Sequence, residues 1–99
     1  MSIETIRDGD TLTIKIVGRF DFSVHQSFRL AYEDVRPEPA RYVLDLKETN
    51  YLDSSALGML LLLRDYAGGD AADITLLNPN EEVQKILKIS NFEKLFKIA

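Results

Sequence analysis

Between a short β-branched and aromatic run, Tyr42-Val43-Leu44-Asp45-Leu46, and a strongly apolar run from Leu57 to Tyr66 stands the hydroxyl-rich segment Asp53-Ser54-Ser55-Ala56-Leu57-Gly58. The first run has strand character and the second is long and apolar enough for a buried helix. A strand, a capping turn and a helix in that order commit this part of the chain to an α/β unit. Asp53 or Ser54 can accept a bond from an orphan backbone N–H of the first helical turn, and the partial positive charge there favours an anion. A phosphate on Ser54 is therefore locally tolerated. Asp and Ser before a helix are also ordinary caps, and on the hexapeptide alone that plain reading is the stronger one.

The remaining segments extend the α/β reading. Ile3 to Arg7 and Thr11 to Val17 alternate in polarity around Asp8-Gly9-Asp10, which predicts an antiparallel hairpin. Leu12, Ile14 and Ile16 fall on one face of the second strand, and Thr13 and Lys15 on the other. Gly18-Arg19-Phe20-Asp21 is read as leaving that strand. Ser23 is expected to cap a helix from Val24 to Val35, whose Val24, Phe28, Ala31, Tyr32 and Val35 form one stripe, with Pro37 and Pro39 stopping it. Arg41 to Leu46 suits an interior strand. Gly68-Gly69 predicts a left-handed end to the helix that follows Asp53. Asp73 to Leu77 reads as a strand. Asn78-Pro79-Asn80-Glu81 then offers an N-cap and a proline at the first helical position of a helix to Ile89. Ser90-Asn91 breaks it, and Phe92, Leu95 and Phe96 are expected to dock a last helical turn on the core. The order β-β-α-β-α-β-α-α predicts a single α/β domain over residues 1–99. Its mixed sheet has four to five strands, with about four helices largely on one face.

Composition excludes several function classes. Ninety-nine residues, 45% of them apolar, sustain one core and not two. There is no cysteine and one histidine, His25, so disulfides, thiol nucleophiles and thiolate zinc sites are absent, and His25 alone builds no metal site. His25 is expected to be a partly exposed residue of the first helix. A net charge of −4, without a dense Lys/Arg cluster, argues against nucleic acid and for a protein partner. Met1-Ser2-Ile3-Glu4 has no leader character, and the run near Leu57 to Leu63 falls far short of the ~20 residues a bilayer needs. Arg64-Asp65 follows that run at once, so its leucines are read as core. The expectation is a cytoplasmic protein, not inserted in a membrane and monomeric when free.

Chemistry of the enzymatic kind is not legible. No Walker-type, dinucleotide-binding or H-E-x-x-H pattern is present, and Gly68-Gly69 follows a helix rather than a strand. Asp45 and Asp53 lack the nucleophile, ligand set or polar shell that would make them an acid/base pair, and are read as strand-end and cap carboxylates. No cofactor, no metal and no catalytic residue is expected.

Four landmarks occur together over nearly the whole chain. They are Gly18-Arg19-Phe20-Asp21, Tyr42-Val43-Leu44-Asp45-Leu46, Leu52-Asp53-Ser54-Ser55-Ala56-Leu57-Gly58, and the tail from Val83 through Ile86-Leu87 to Leu95-Phe96-Lys97-Ile98. In that order the chain resembles the STAS-domain family of bacterial anti-sigma factor antagonists. The resemblance implies that Ser54 is the acceptor phosphorylated by an anti-sigma factor with serine kinase activity, and that a PP2C-type phosphatase reverses it. Ser55 matches the second hydroxyl position of the D-S-[ST]-G-L-G motif, Asp53 its acid, and Asp21 a further acid near the same surface. Ala56 departs from the commoner glycine, which stiffens the loop without harming a helical first turn.

The implied mechanism is partner switching. The unphosphorylated chain sequesters its anti-sigma factor and frees a sigma factor, and phosphorylation at Ser54 releases the partner. The chain is then a kinase substrate and not an enzyme. Asp21, Phe22, Ser23, Asn50, Asp53, Ser54 and Ser55 are the expected interface. Other readings stay open: the STAS subunit of a lipid-transport ATPase complex, a small nucleotide-binding protein, and a switch controlling a signalling cyclase or a regulator of surface motility.

Overall fold

A computed structural model describes residues 2–99, with side-chain burial from Ile3 onward; Met1, part of the opening stretch read above, lies outside the described residues. The strands are β1 (Ser2–Asp8), β2 (Thr11–Phe20), β3 (Arg41–Asp45), β4 (Thr49–Leu52), β5 (Ile74–Leu77) and β6 (Lys97–Ile98). The helices are α1 (His25–Tyr32), α2 (Ser54–Tyr66) and α3 (Glu81–Ile89), with 3-10 turns at Phe22–Val24, Gly69–Ala71 and Phe92–Lys94.

The sheet runs β1-β2-β3-β5-β6, and β4 pairs with β2 beyond the β3 contact. β1 is antiparallel to β2 through the hairpin, whose Gly9 takes the left-handed φ of +60° that the turn requires. The other pairings are parallel. The crossovers through α1, α2 and α3 all step away from β1. With the right-handed sense that such connections adopt, the three helices therefore lie on one face.

That face holds the core. Leu12, Ile14 and Ile16 of β2 are buried, while Thr13, Lys15 and Val17 between them are only half-buried, as their alternation predicts. Leu44 and Leu76 continue the buried layer across β3 and β5, and Phe28, Leu60, Leu63 and Leu87 meet it from the helices. Phe20, Phe28, Tyr32 and Tyr66 form a chain of tilted and edge-on ring contacts between β2, α1 and α2.

Several local expectations are corrected. β2 does not end at Val17: it runs to Phe20, past a register shift between Gly18 and Arg19, because β4 supplies a pairing partner there. β4 itself was not expected. The Ser23 hydroxyl does not cap a helix; Asp21 caps the 3-10 turn, and α1 ends at Tyr32 rather than Val35. Asn80, not Asn78, caps α3, and Pro79 precedes the helix instead of opening it. Leu95 stays partly exposed while Phe92 and Phe96 dock. Gly68 and Gly69 do take the left-handed conformation expected at the end of α2. Asn91, with φ of +60°, breaks the chain after α3.

Candidate functional site

Two parallel strands end side by side, and each hands over to a helical segment through an aspartate. Phe20 of β2 pairs in register with Leu52 of β4. The next residues, Asp21 and Asp53, take up extended backbone and become N-caps. Asp21 Oδ1 accepts from the Ser23 backbone N–H (3.0 Å) and also from the Ser23 hydroxyl. Asp53 Oδ1 accepts from the Ala56 backbone N–H (3.0 Å) and from the Ser55 hydroxyl (2.6 Å). The sequence thus repeats one cap chemistry, Asp-x-Ser, at adjacent strand ends.

The middle residues of the two caps, Phe22 and Ser54, are both exposed. Ser23 and Ser55 spend their hydroxyls on the aspartates. Among the described residues the Ser54 hydroxyl makes no hydrogen bond, and it stands on the first residue of α2, where the helix dipole favours negative charge. Asn50, on β4, is likewise exposed. The seven residues singled out from sequence therefore converge on one end of the sheet: Asp21, Phe22 and Ser23 beyond β2, Asn50 on β4, and Asp53, Ser54 and Ser55 at the head of α2.

Both cap carboxyls sit below the ordinary aspartate range. For Asp53 the Ser55 hydroxyl is the largest cause, opposed by desolvation and by the neighbouring Asp21 charge. For Asp21 the Ser23 hydroxyl and backbone N–H lead, with Arg19 adding to them. The site is accordingly an anionic pair held by hydroxyl and amide donors.

Sequence reasoning missed Arg19 and Tyr51 as members of this site. They are cross-strand partners on β2 and β4, and the Arg19 guanidinium carbon lies 3.8 Å from the Tyr51 ring centroid. Arg19 Nε also donates to Asp21 Oδ2 at 3.2 Å. The available signal was spacing: Arg19 and Asp21 are two apart at a strand end, which puts them on one face. A second feature also went unread. α1 and α2 border an open groove of about 490 Å³ that reaches from Phe22 and Ser55 to Leu62, beside the Asp53 cap. Its signal was Gly58, a glycine inside an otherwise helix-forming run.

Asp45 plays the modest part expected of it, accepting from the Lys47 backbone N–H at 3.1 Å. No group of three or more metal-ligating side chains lies together among the described residues, and none of their helices is long and apolar enough to cross a membrane.

Comparison with known proteins agrees with this architecture. The protein-family model described as "Mlab, STAS domain" matches residues 3–97. A STAS-domain-containing protein of Pseudomonas aeruginosa (strain UCBPP-PA14) is 66% identical over 92 residues, which span 93% of this chain and 91% of that protein. Among solved structures, a candidate anti-sigma factor antagonist from Thermotoga maritima superposes with a TM-score of 0.85 at 18% identity, covering 97% of this chain and 84% of that one. The anti-sigma factor antagonist SpoIIAA in its unphosphorylated form gives 0.77 at 17% identity, covering 99% and 87%. An anti-sigma factor antagonist from Mycobacterium paratuberculosis gives 0.81 at 15% identity, covering 98% and 83%. At such identities the solved structures establish the fold alone. The family match over nearly every residue and the close Pseudomonas relative establish more, namely that this chain belongs to the STAS-domain family.

Proposed function

We propose that the chain is an anti-sigma factor antagonist working by partner switching, with Ser54 as its phosphorylated residue. The observation that carries this reading is the division of labour among the hydroxyls at the two caps. Ser23 and Ser55 are bonded to the aspartates, and Ser54 alone of the three presents an unengaged, exposed hydroxyl. In the unphosphorylated form Asp21, Phe22, Ser23, Asn50, Asp53, Ser54 and Ser55 meet an anti-sigma factor that is also a serine kinase, and a sigma factor is freed.

Phosphorylation adds about −1.5 to −2 charges and three acceptor oxygens beside Asp53 and Asp21. The first turn of α2 accommodates that charge within the fold. A partner packed over it must desolvate it next to two carboxylates, and a penalty of about 3 kcal/mol weakens binding more than a hundredfold. A PP2C-type phosphatase resets the cycle in the cytoplasm, and the free chain is a monomer. It is acted on by enzymes and performs no catalysis itself.

Phosphosite mapping of protein recovered from its own cells, growing and stressed, tests the reading. Phosphate on Ser54 with condition-dependent occupancy is expected, and it disappears in Ser54→Ala. With the isolated partner, Ser54→Ala is expected to bind as tightly as wild type and Ser54→Glu about a hundredfold more weakly. Equal binding by the two variants refutes the switch. A second reading, the STAS subunit of a lipid-transport ATPase complex, is favoured by the exposed Leu61 and Leu62 of α2, which can dock on another subunit without phosphate. An unmodified Ser54 in every condition selects that reading.

A further inference from the structure

Of the seven residues proposed above to meet the partner, Phe22 alone is apolar; the others are three serines, two aspartates and an asparagine. Phe22 is 63% exposed, so the core does not depend on its ring. Its position is set by strand register. Phe22 lies two residues beyond Phe20 and Ser54 two beyond Leu52, and Phe20 and Leu52 are paired, so the ring and the unengaged hydroxyl stand at neighbouring strand ends.

The backbone on the C-terminal side of Phe22 is fixed by the Asp21 cap. The Asp21 side chain accepts from the Ser23 N–H at 3.0 Å, its carbonyl accepts from the Val24 N–H at 3.2 Å, and Val24 is buried. The ring is held by a different residue. His25, at the start of α1 and itself exposed, stacks its imidazole on the phenyl ring with centroids 4.1 Å apart and planes inclined by 7°. The same imidazole bonds the Phe22 carbonyl, with Nδ1 at 2.9 Å from the oxygen. A carbonyl oxygen only accepts, so Nδ1 carries the proton. One side chain therefore fixes both the ring and the carbonyl of Phe22.

The start of α1 does not require this clamp. The 3-10 turn before it is already capped by Asp21 and anchored by Val24, and the backbone N–H of His25 reaches the Phe22 carbonyl without the imidazole. What the clamp adds is an exposed aromatic ring kept in one orientation among polar neighbours. Such a ring offers apolar contact area whose ordering cost has been met before binding, and interfaces concentrate their affinity in anchors of this kind set inside a polar rim.

We propose that His25 is a positioning residue for partner recognition, holding Phe22 as the apolar anchor that the Ser54 kinase must seat in a socket of its own before it reaches the Ser54 hydroxyl. The inference rests on the partner-binding part of the function proposed above. It gives the two cap-centre residues separate tasks: Phe22 supplies affinity and Ser54 supplies the switch.

The test uses the full chain as substrate for the kinase, isolated from the native cells by its ATP-dependent phosphorylation of Ser54. Phe22→Ala is expected to raise KM about thirtyfold and His25→Ala about tenfold, each with kcat within about twofold of wild type, the pattern of lost binding. His25→Phe, which keeps a stacked ring, is expected to return KM to within about threefold of wild type. The double variant Phe22→Ala/His25→Ala should match Phe22→Ala alone, because a clamp has no effect once the ring it holds is gone. On the free chain, Tm should stay within about 3 °C in every variant, while three-bond couplings of Phe22 change from one side-chain rotamer to an average in His25→Ala.

An unchanged KM in His25→Ala overturns the proposal, as does a loss in the double variant equal to the sum of the single losses. A fall in Tm together with kcat in His25→Ala, unrelieved in His25→Phe, assigns His25 to folding and also overturns it. The two readings fail differently. Normal phosphorylation of Ser54 in Phe22→Ala and His25→Ala removes the anchor and leaves the switch, whereas absence of any Ser54 kinase activity from the native cells removes the switch and the anchor together.

Discussion

Asp21 and Asp53 are two like charges placed next to each other at adjacent strand ends, and each is held in its ionised form by a serine two residues later. The arrangement fixes what acid should do. A carboxyl whose folded pKa is depressed contributes stability that is present above its ordinary value, about 3.9, and is lost as pH falls through the folded value. Ser55→Ala removes the largest cause of the depression at Asp53. The Asp53 carboxyl resonance is then expected to titrate closer to its ordinary value, and the variant to retain less stability at neutral pH than wild type. An unchanged Asp53 titration curve in Ser55→Ala would contradict the hydrogen-bond account. At this scale the capping role of Asp53 was legible, because Asp before a helical run has few other uses. The role of Asp21 as a cap was not, since Ser23 is an equally good cap by type and the difference lies in which backbone N–H each oxygen faces.

Among the elements, α3 shows how a cap can also tie a helix to the sheet. Asn80 Oδ1 accepts from the Val83 backbone N–H at 2.8 Å, and Asn80 Nδ2 donates to the Thr49 carbonyl on β4 at 3.3 Å. Thr49 is itself buried and its hydroxyl donates to the Ile16 carbonyl at 2.7 Å. One polar thread therefore runs from α3 through β4 to β2. Asn80→Ala is expected to cost about 1–2 kcal/mol in urea unfolding, and Asn80→Asp, which keeps the cap acceptor but not the donor, less than that. Equal losses in the two variants would mean that the amide donor to β4 contributes everything. The start of α3 was displaced in the sequence reading because Asn78-Pro79-Asn80 offers two caps around one proline. The backbone decides between them: Asn78 adopts a left-handed φ of +55° and leaves the capping to Asn80. β4 was illegible for a different reason. Thr49-Asn50-Tyr51-Leu52 is short and half polar, and it is a strand only because β2 extends far enough to pair with it.

Across the whole molecule β2 is the organising strand, paired with β1, β3 and β4, while β6 is a two-residue edge held on β5. Amide exchange is expected to be slowest in β2, β3 and β5 and fastest among the strands in β6. Leu44→Ala, at a fully buried point of β3, should destabilise by about 2–5 kcal/mol in chemical denaturation. A smaller loss would mean that the helices collapse onto the cavity. Hydrophobic alternation, the proline and glycine stops and the Asp53 cap are properties of neighbouring residues, so the amino-acid sequence alone determined the α/β class, the hairpin, the single core and the exposed position of Ser54 at a helix start. The pairing of Phe20 with Leu52, the joining of two Asp-x-Ser caps into one anionic site, the stacking of Arg19 on Tyr51 and the groove between α1 and α2 connect residues some 30 or more positions apart. Those were decided only by the tertiary structure, because local preference says which element a segment forms and parallel strand register alone says which elements end side by side.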